Sequence, residues 1–234
     1  MTDEGVTIAQ LERIGMRYGA GDEVLRDIDL ALAAGSFRFL LGSPSAGKTS
    51  LLRLLRLGHP PSSGRLRLFG QETARLDRDG RARMRQRIGV VFQDLRLLDH
   101  LSAYDNVALR LRIGGAENDA IPLEVSPLLG WLGLGDVLER RPPELTPAQR
   151  QLVAVARAVI GNPGLVLADE PLVGLDPDQA HRVMRLFLAM QRRGAAVLLA
   201  TRALELPRRY PFAVLLLHGG RLALRAAPAL ARSA

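Results

Sequence analysis

The feature that most constrains the fold is an eight-residue segment between a strand-like apolar run and a leucine-rich helical run. It fills every fixed position of the pattern G-x-x-x-x-G-K-[ST] and reads Gly42-Ser43-Pro44-Ser45-Ala46-Gly47-Lys48-Thr49. Residues 37–41 before it predict a strand, and the leucines of 48–57 after it share one helix face. In this context the segment predicts a phosphate-binding loop, because its glycines let successive N–H groups turn inward around phosphates.

Composition singles out the lysine of this loop. The chain has 32 lysines and arginines in total, and Lys48 is the only lysine. A compact ammonium reaches the β- and γ-phosphates of a nucleotide, where a planar guanidinium fits poorly. The Thr49 hydroxyl is the expected Mg²⁺ ligand, and Ser50 is a further nucleotide-contacting candidate.

A second motif lies at the end of a continuous apolar run, residues 165–168. Asp169 and Glu170 follow that run directly, and we expect Asp169 to hold Mg²⁺ through water and Glu170 to polarise an attacking water. Two adjacent carboxylates are also common in surface loops. Together with a phosphate loop in the same chain, they favour phosphoryl-transfer chemistry.

Composition excludes other classes of protein. Without cysteine, neither a disulfide scaffold nor a cysteine-based metal site is possible. The apolar runs are too short to cross a membrane, and the acidic start Met1–Gly5 lacks the features of a secretory signal, so a cytosolic protein is expected. The net charge of +8 permits contact with nucleic acid or with an anionic membrane surface. The arginine-rich segment 78–87 has no aromatic residues for base stacking and is predicted to be a solvated helix face.

The pattern of elements predicts an α/β fold. Residues 6–14 and 24–33 alternate in part and predict strands, whereas the apolar runs at 165–168 and 196–200 predict strands buried on both faces of a parallel sheet. Residues from about 95 to 160 lack strand-like alternation and predict a helical insertion.

Taken together, these motifs resemble the ATP-binding subunits of ABC (ATP-binding cassette) systems, and the resemblance covers nearly the whole chain. Gln93 lies in a segment similar to the family's Q-loop, Asp176 in one similar to its D-loop, and Tyr18 where the family places an adenine-stacking aromatic. Without the resemblance, Tyr18 is a half-buried strand aromatic and Gln93 a surface residue. The resemblance implies that Tyr18, Gln93 and Asp176 contact the nucleotide, and that Gln93 is also a metal ligand.

The implied fold is a P-loop NTPase of the ABC type, with a parallel core sheet, an N-terminal antiparallel β subdomain and an inserted helical subdomain. The implied single domain spans 1–234, with a nucleotide-binding core at 1–94 and 160–234 and the helical subdomain at 95–159. The implied cofactors are ATP and Mg²⁺.

Within the family, segments 87–98 and 104–109 are most similar to the cell-division branch, the FtsE type. The lipoprotein-release and macrolide-export branches come next. The resemblance implies a homodimer that sandwiches ATP, an integral membrane partner of the FtsX type, and a location on the inner face of the bacterial cell membrane. No nucleic-acid partner is expected, since a DNA-associated ABC ATPase would need a long coiled-coil insertion.

One departure from the family lies in the signature LSGGQ, which appears here as Leu145-Thr146-Pro147-Ala148-Gln149. Both glycines are replaced, and Pro147 has no N–H to offer a phosphate. The segment still predicts a capped helix start with Thr146 at the N-cap. Two interpretations stay open: Thr146 contacts the nucleotide of a partner subunit, or it begins a helix with no nucleotide role.

The other departure is Arg202, which stands where the family has a histidine that contacts the γ-phosphate. Arginine is a permanent cation and cannot serve as a neutral donor and acceptor. Two placements stay open: the side chain contacts the phosphate, or it points to solvent. The candidate catalytic residues are therefore Glu170, Gln93, Lys48 and Arg202, and the altered positions leave a nucleotide-sensing module with little turnover as an alternative to an active ATPase.

Overall fold

The computed structural model describes residues 6–225, whose strands form two separate sheets. The start at Met1–Gly5, on which the expectation of a missing signal rests, lies outside the described residues. Within the described range the strands are β1 (Thr7–Arg17), β2 (Glu23–Ala33), β3 (Phe37–Leu41), β4 (Ser63–Leu68), β5 (Gln71–Glu72), β6 (Ile88–Val91), β7 (Leu165–Asp169), β8 (Ala196–Ala200), β9 (Ala213–His218) and β10 (Arg221–Arg225). The α-helices are α1 (Lys48–Leu55), α2 (Arg78–Gln86), α3 (Ala103–Ile113), α4 (Ile121–Trp131), α5 (Pro147–Val159), α6 (Pro177–Arg192) and α7 (Leu206–Arg209).

The first sheet is antiparallel and has the order β2-β1-β4-β5. Strand β1 pairs with β2 on one side and β4 on the other, and its inward-facing residues include the fully buried Ile14 and Met16. The predicted β-rich beginning is confirmed, and the antiparallel pairing agrees with the implied β subdomain.

The second sheet has the order β10-β9-β3-β8-β7-β6 and is parallel except for the β9–β10 pair. Every residue of β7 and β8 is buried, because each strand sends alternate side chains into the cores on the two faces of the sheet. The predicted parallel core is confirmed. Since β3, β7 and β8 run in the same direction, the residues that follow them meet at one edge of the sheet.

Helix α1 lies between the two sheets and ties them together. Its four apolar residues pack with β1, β2 and one face of the central sheet, and they are Leu51, Leu52, Leu54 and Leu55. Helices α3 to α6 cover the opposite face. Helix α1 ends two residues before the predicted boundary at Leu57, whose backbone has a left-handed φ of 59°.

The helical part begins later than the sequence pattern suggests. Leu95 and Arg96 have φ angles of 56° and 51°, a left-handed conformation that no helix can include, so residues 95–102 form a loop. Helix α3 starts at Ala103, where the Ser102 hydroxyl caps it by accepting the N–H of Asp105 at 3.0 Å. Among the described residues, no helix has both the length and the apolar character that a membrane crossing requires.

Candidate functional site

The phosphate loop connects β3 to the start of α1. Gly47 adopts φ 101° at the helix N-cap, and no side chain caps the first turn, so its N–H groups stay available to a ligand. A side chain at Gly42 would collide with the carbonyl oxygen of Leu217, so only glycine fits at the loop entry. The tip of the loop, Ser43 to Ser45, is exposed, whereas Ala46 is buried. The backbone therefore forms a cradle open to solvent on one side.

The Lys48 side chain contacts the backbone at the start of the phosphate loop. Its Nζ donates to the carbonyl oxygens of Gly42 and Ser43 at 2.6 and 3.0 Å. Burial lowers the pKa of Lys48, while the negative charges of Glu170 and Asp169 act in the opposite direction. An ammonium held by two neutral carbonyls, in a site with nearby carboxylates, is poised to pair with a phosphate oxygen.

Thr49 and Asp169 form the second element of the site. The Thr49 hydroxyl donates to Oδ2 of Asp169 at 2.7 Å. Burial raises the pKa of Asp169, against the hydrogen bond from Thr49 and the positive charges of Lys48 and Arg202. A hydroxyl and a carboxylate are the hard oxygen donors that Mg²⁺ prefers, so these two residues fit the expected ion.

Glu170 follows Asp169 and turns its carboxylate toward the end of β8. Its backbone adopts φ 51°, and its N–H donates to the carbonyl oxygen of Ala200 at 2.9 Å. The Thr201 hydroxyl donates to its Oε2 at 3.1 Å. The carboxylate is therefore held at the edge of the sheet that also carries Lys48 and Asp169.

Arg202 pairs with Glu170, a contact that neither of the two placements considered from the sequence includes. Its Nε donates to Oε1 of Glu170 at 3.0 Å, and the two side chains form an ion pair. The order of the strands explains this contact, because β7 and β8 are parallel neighbours with Asp169 opposite Ala200. No local sequence pattern indicates it, because the two strands are neighbours only in the folded sheet.

Gln93 lies just beyond β6, at a cleft of about 370 Å³ that it shares with Thr49 and Asp169. The structure thus brings the Q-loop candidate to the expected Mg²⁺ ligands, with its side chain exposed to solvent. Arg56 and Arg96 line the same cleft and stack over the ring of Phe92, with guanidinium carbons 5.1 and 4.6 Å from the ring centroid.

Sequence reasoning missed the residue that supports this loop. The Arg157 guanidinium donates to the backbone carbonyl oxygens of Leu95 and Arg96, which both have a left-handed backbone in the loop after Gln93. Burial lowers the pKa of Arg157. Helix α5, which begins at the altered signature, therefore also holds the loop that follows Gln93.

Tyr18 lies beside helix α1. Its hydroxyl donates to Oγ of the buried Ser50 at 3.1 Å, and its ring packs edge-on against His59 with centroids 5.1 Å apart. The side chain is 38% exposed, which leaves part of the ring available for stacking. His59 is half-buried against this tyrosine.

Thr146 and Asp176 begin helices α5 and α6. Each side chain forms a capping box with the glutamine three residues later: Thr146 accepts from the N–H of Gln149 at 3.2 Å, and Asp176 from that of Gln179 at 2.8 Å. The cap predicted at Thr146 is confirmed. Among the described residues, the hydrogen bonds of both side chains stay within their own helix starts. Both residues are exposed, and neither lines the cleft beside the phosphate loop.

Helix α5 also contacts the loop that follows β7. The buried Gln151 donates from Nε2 to the carbonyl oxygen of Pro171 at 2.8 Å, directly after Glu170. No group of three or more histidine, aspartate and glutamate side chains suited to a metal occurs in residues 6–225.

The chain is similar in sequence to known proteins. Residues 25–173 match the family described as ABC transporter. The chain is 36% identical to the cell division ATP-binding protein FtsE of Escherichia coli strain K12 over 213 residues, which covers 91% of this chain and 96% of that protein. It is 38% identical over 198 residues to the macrolide export ATP-binding/permease protein MacB 1 of Aeromonas hydrophila, covering 83% of this chain and 31% of that protein.

The fold also matches solved structures. The ATP-binding cassette MJ0796, in a dimeric post-hydrolysis state bound to ADP and phosphate, superposes with a TM-score of 0.88 at 25% identity. The match covers 95% of this chain and all of that one. The predicted ABC-type α/β fold is confirmed by this similarity.

Proposed function

The chain belongs to the ABC transporter family of ATP-binding proteins and is similar to FtsE, and from this premise we propose that it hydrolyses Mg-ATP to drive an FtsX-like membrane protein in cell division. The observation that carries the proposal is the meeting of Lys48, the Thr49–Asp169 pair and Glu170 at one edge of the central sheet. Each role that phosphoryl transfer requires is filled there by a residue of the expected type.

Binding rests on the phosphate loop, residues 42–50. The backbone N–H groups at the start of α1 and the Lys48 ammonium neutralise the phosphates, and the partly exposed ring of Tyr18 stacks on the adenine. Thr49, Asp169 and Gln93 hold Mg²⁺, directly or through water. When bound, the ion neutralises charge that develops on the phosphates.

Hydrolysis rests on Glu170. Its carboxylate accepts a proton from water as the water oxygen bonds to the terminal phosphorus and the bond to the bridging oxygen breaks, which yields ADP and phosphate. The Thr201 hydroxyl orients that carboxylate. An ATP-sensing module with little turnover remains the second candidate, and it is favoured by the altered signature at Pro147 and Ala148.

The active form we propose is a homodimer with ATP held between the two copies. Thr146 and Asp176 are exposed helix-start residues that do not line the cleft beside their own phosphate loop, and in this proposal each reaches the nucleotide of the second copy. The structurally similar cassette MJ0796 is dimeric and binds ADP and phosphate, which supports this arrangement.

The membrane partner, in this proposal, docks a cytoplasmic helix in a groove of about 650 Å³ beside the Q-loop. The groove shares Arg56 and Phe92 with the cleft of Gln93. Its lining has an apolar floor and four arginines but no aspartate or glutamate, and the arginines are Arg56, Arg85, Arg110 and Arg157. Charge complementarity therefore favours a partner helix with acidic side chains. Through this partner the chain would sit on the inner face of the bacterial membrane.

Two measurements test the proposal. Steady-state ATPase activity of the purified chain, alone and with its membrane partner in detergent, separates an ATPase from a sensing module. Co-purification from detergent followed by mass spectrometry identifies the partner. Recovery of an FtsX-like protein supports the cell-division assignment, recovery of an exporter permease supports the macrolide or lipoprotein branch suggested by the likeness to MacB 1, and absence of any polytopic membrane protein counts against both.

A further inference from the structure

The carboxylate of Glu170, on which the proposed hydrolysis depends, forms an ion pair with Arg202. Oε1 of Glu170 accepts from Arg202 Nε at 3.0 Å, and Oε2 accepts from the Thr201 hydroxyl at 3.1 Å. Both carboxylate oxygens therefore carry a protein donor. The two oxygens that would receive the proton of the attacking water are thus already engaged.

Glu170 and Arg202 differ in their freedom to move. The Glu170 side chain is 10% exposed, and its backbone is fixed by the hydrogen bond to Ala200 and by a left-handed φ. The Arg202 side chain is 55% exposed, and within the described residues it donates a hydrogen bond to Glu170 alone. If the pair separates, Arg202 is the residue that moves.

The charge of Arg202 already reaches the phosphate site. Its guanidinium is paired with Glu170, which directly follows Asp169, and Oδ2 of Asp169 accepts from Thr49 in the phosphate loop. A polyanion at the phosphate loop would therefore attract the same guanidinium that Glu170 now holds.

We propose that Arg202 is a latch that responds to the terminal phosphate: it pairs with Glu170 before nucleotide binds, and a triphosphate competes for the guanidinium and frees the carboxylate. Glu170 and the terminal phosphate are thus alternative partners of one arginine. A diphosphate lacks the competing group and leaves the pair intact. The proposal rests on the proposed ATP binding at this site and adds how the site distinguishes ATP from ADP.

The test is a double-mutant cycle on nucleotide affinity, with ADP and a non-hydrolysable ATP analogue, both with Mg²⁺. The proteins are wild type, Arg202→Gln, Glu170→Gln and the double variant. Arg208→Gln is the matched control, because this arginine is also exposed and lies six residues further along. Thermal unfolding without nucleotide checks that every variant is folded.

The latch predicts a particular pattern of affinities. Arg202→Gln weakens binding of the triphosphate about tenfold and leaves ADP unchanged, since one charged hydrogen bond to the terminal phosphate is lost. Glu170→Gln tightens triphosphate binding, because Arg202 no longer has to leave a carboxylate, and this gain disappears in the double variant. Arg208→Gln changes neither nucleotide.

Other outcomes overturn the latch. A gain from Glu170→Gln that persists in the double variant would show that simple removal of negative charge explains it. Equal effects of Arg202→Gln on both nucleotides, or no effect on either, would show that Arg202 does not sense the terminal phosphate. In these cases ATP binding by the wild type still stands. If the wild type binds neither nucleotide, the proposed function fails together with the latch.

Discussion

The hydroxyl of Thr49 lies 2.7 Å from Oδ2 of Asp169, although 120 positions separate the two residues along the chain. The first stands at the start of α1 and the second at the end of β7, and the central sheet brings them together. The pair predicts a Mg²⁺ site that forms only in the folded chain.

Asp169→Asn should remove most of the Mg²⁺ dependence of ATP affinity. The amide keeps an oxygen that accepts from Thr49 but loses the negative charge that attracts the ion. ATP titrations with Mg²⁺ and with EDTA measure the effect, and Thr49→Ser is the control that retains a hydroxyl. A variant with the wild-type difference between the two conditions would contradict the assignment.

Lys48→Ala should reduce nucleotide affinity roughly 100-fold, because two charged hydrogen bonds to phosphate are lost at about 1.5 kcal/mol or more each. Titration with a fluorescent nucleotide measures the change. Arg192→Ala, an exposed cation at the end of α6, is the control for loss of a positive charge. Unchanged affinity in Lys48→Ala would show that the loop does not bind nucleotide.

Glu170→Gln should bind ATP but not hydrolyse it, because an amide cannot take the proton of the attacking water. ATP should then accumulate in a closed dimer. Light scattering with ATP and Mg²⁺ should show twice the monomer mass, and ADP should leave the variant monomeric. A monomer under both conditions would count against the sandwich dimer.

Pro147→Gly combined with Ala148→Gly should raise ATPase activity. The capping box of Thr146 and Gln149 does not depend on these side chains, and glycines restore an N–H and backbone freedom at the helix start. One or two recovered hydrogen bonds to a charged phosphate, at about 1.5 to 3 kcal/mol each, correspond to a tens- to thousands-fold faster rate. Brisk wild-type hydrolysis that falls in the double variant would show that Pro147 and Ala148 already belong to a working site.

Arg85→Glu should weaken capture of the membrane partner and leave ATP affinity unchanged. Arg85 lines the groove beside the Q-loop, where reversed charge would repel an acidic helix. The matched control is Arg78→Glu, an exposed position at the start of the same helix and outside the groove lining. Co-purification of the partner from detergent compares the two variants, and equal recovery would argue against docking in this groove.

Local patterns were sufficient to predict the main elements. The alternation in β1 and β2, the continuous apolar runs of β7 and β8, and the capped start at Thr146 all agree with the structure. Such features depend on residues within one turn or one strand. The helical start near 95 was wrong, because Arg157, 61 residues beyond Arg96, supports a left-handed backbone that no local pattern indicates.

The sequence alone determined the phosphate loop, the carboxylate pair and the α/β class, since each depends on short-range spacing or on the periodicity of apolar residues. Only the tertiary structure decided what these groups contact. Glu170 and Arg202 meet because β7 and β8 are parallel neighbours, and Thr49 meets Asp169 because β3 and β7 end at the same edge. The order of strands in a sheet depends on how apolar faces pack between elements distant in the chain, and that packing places every partner at this site.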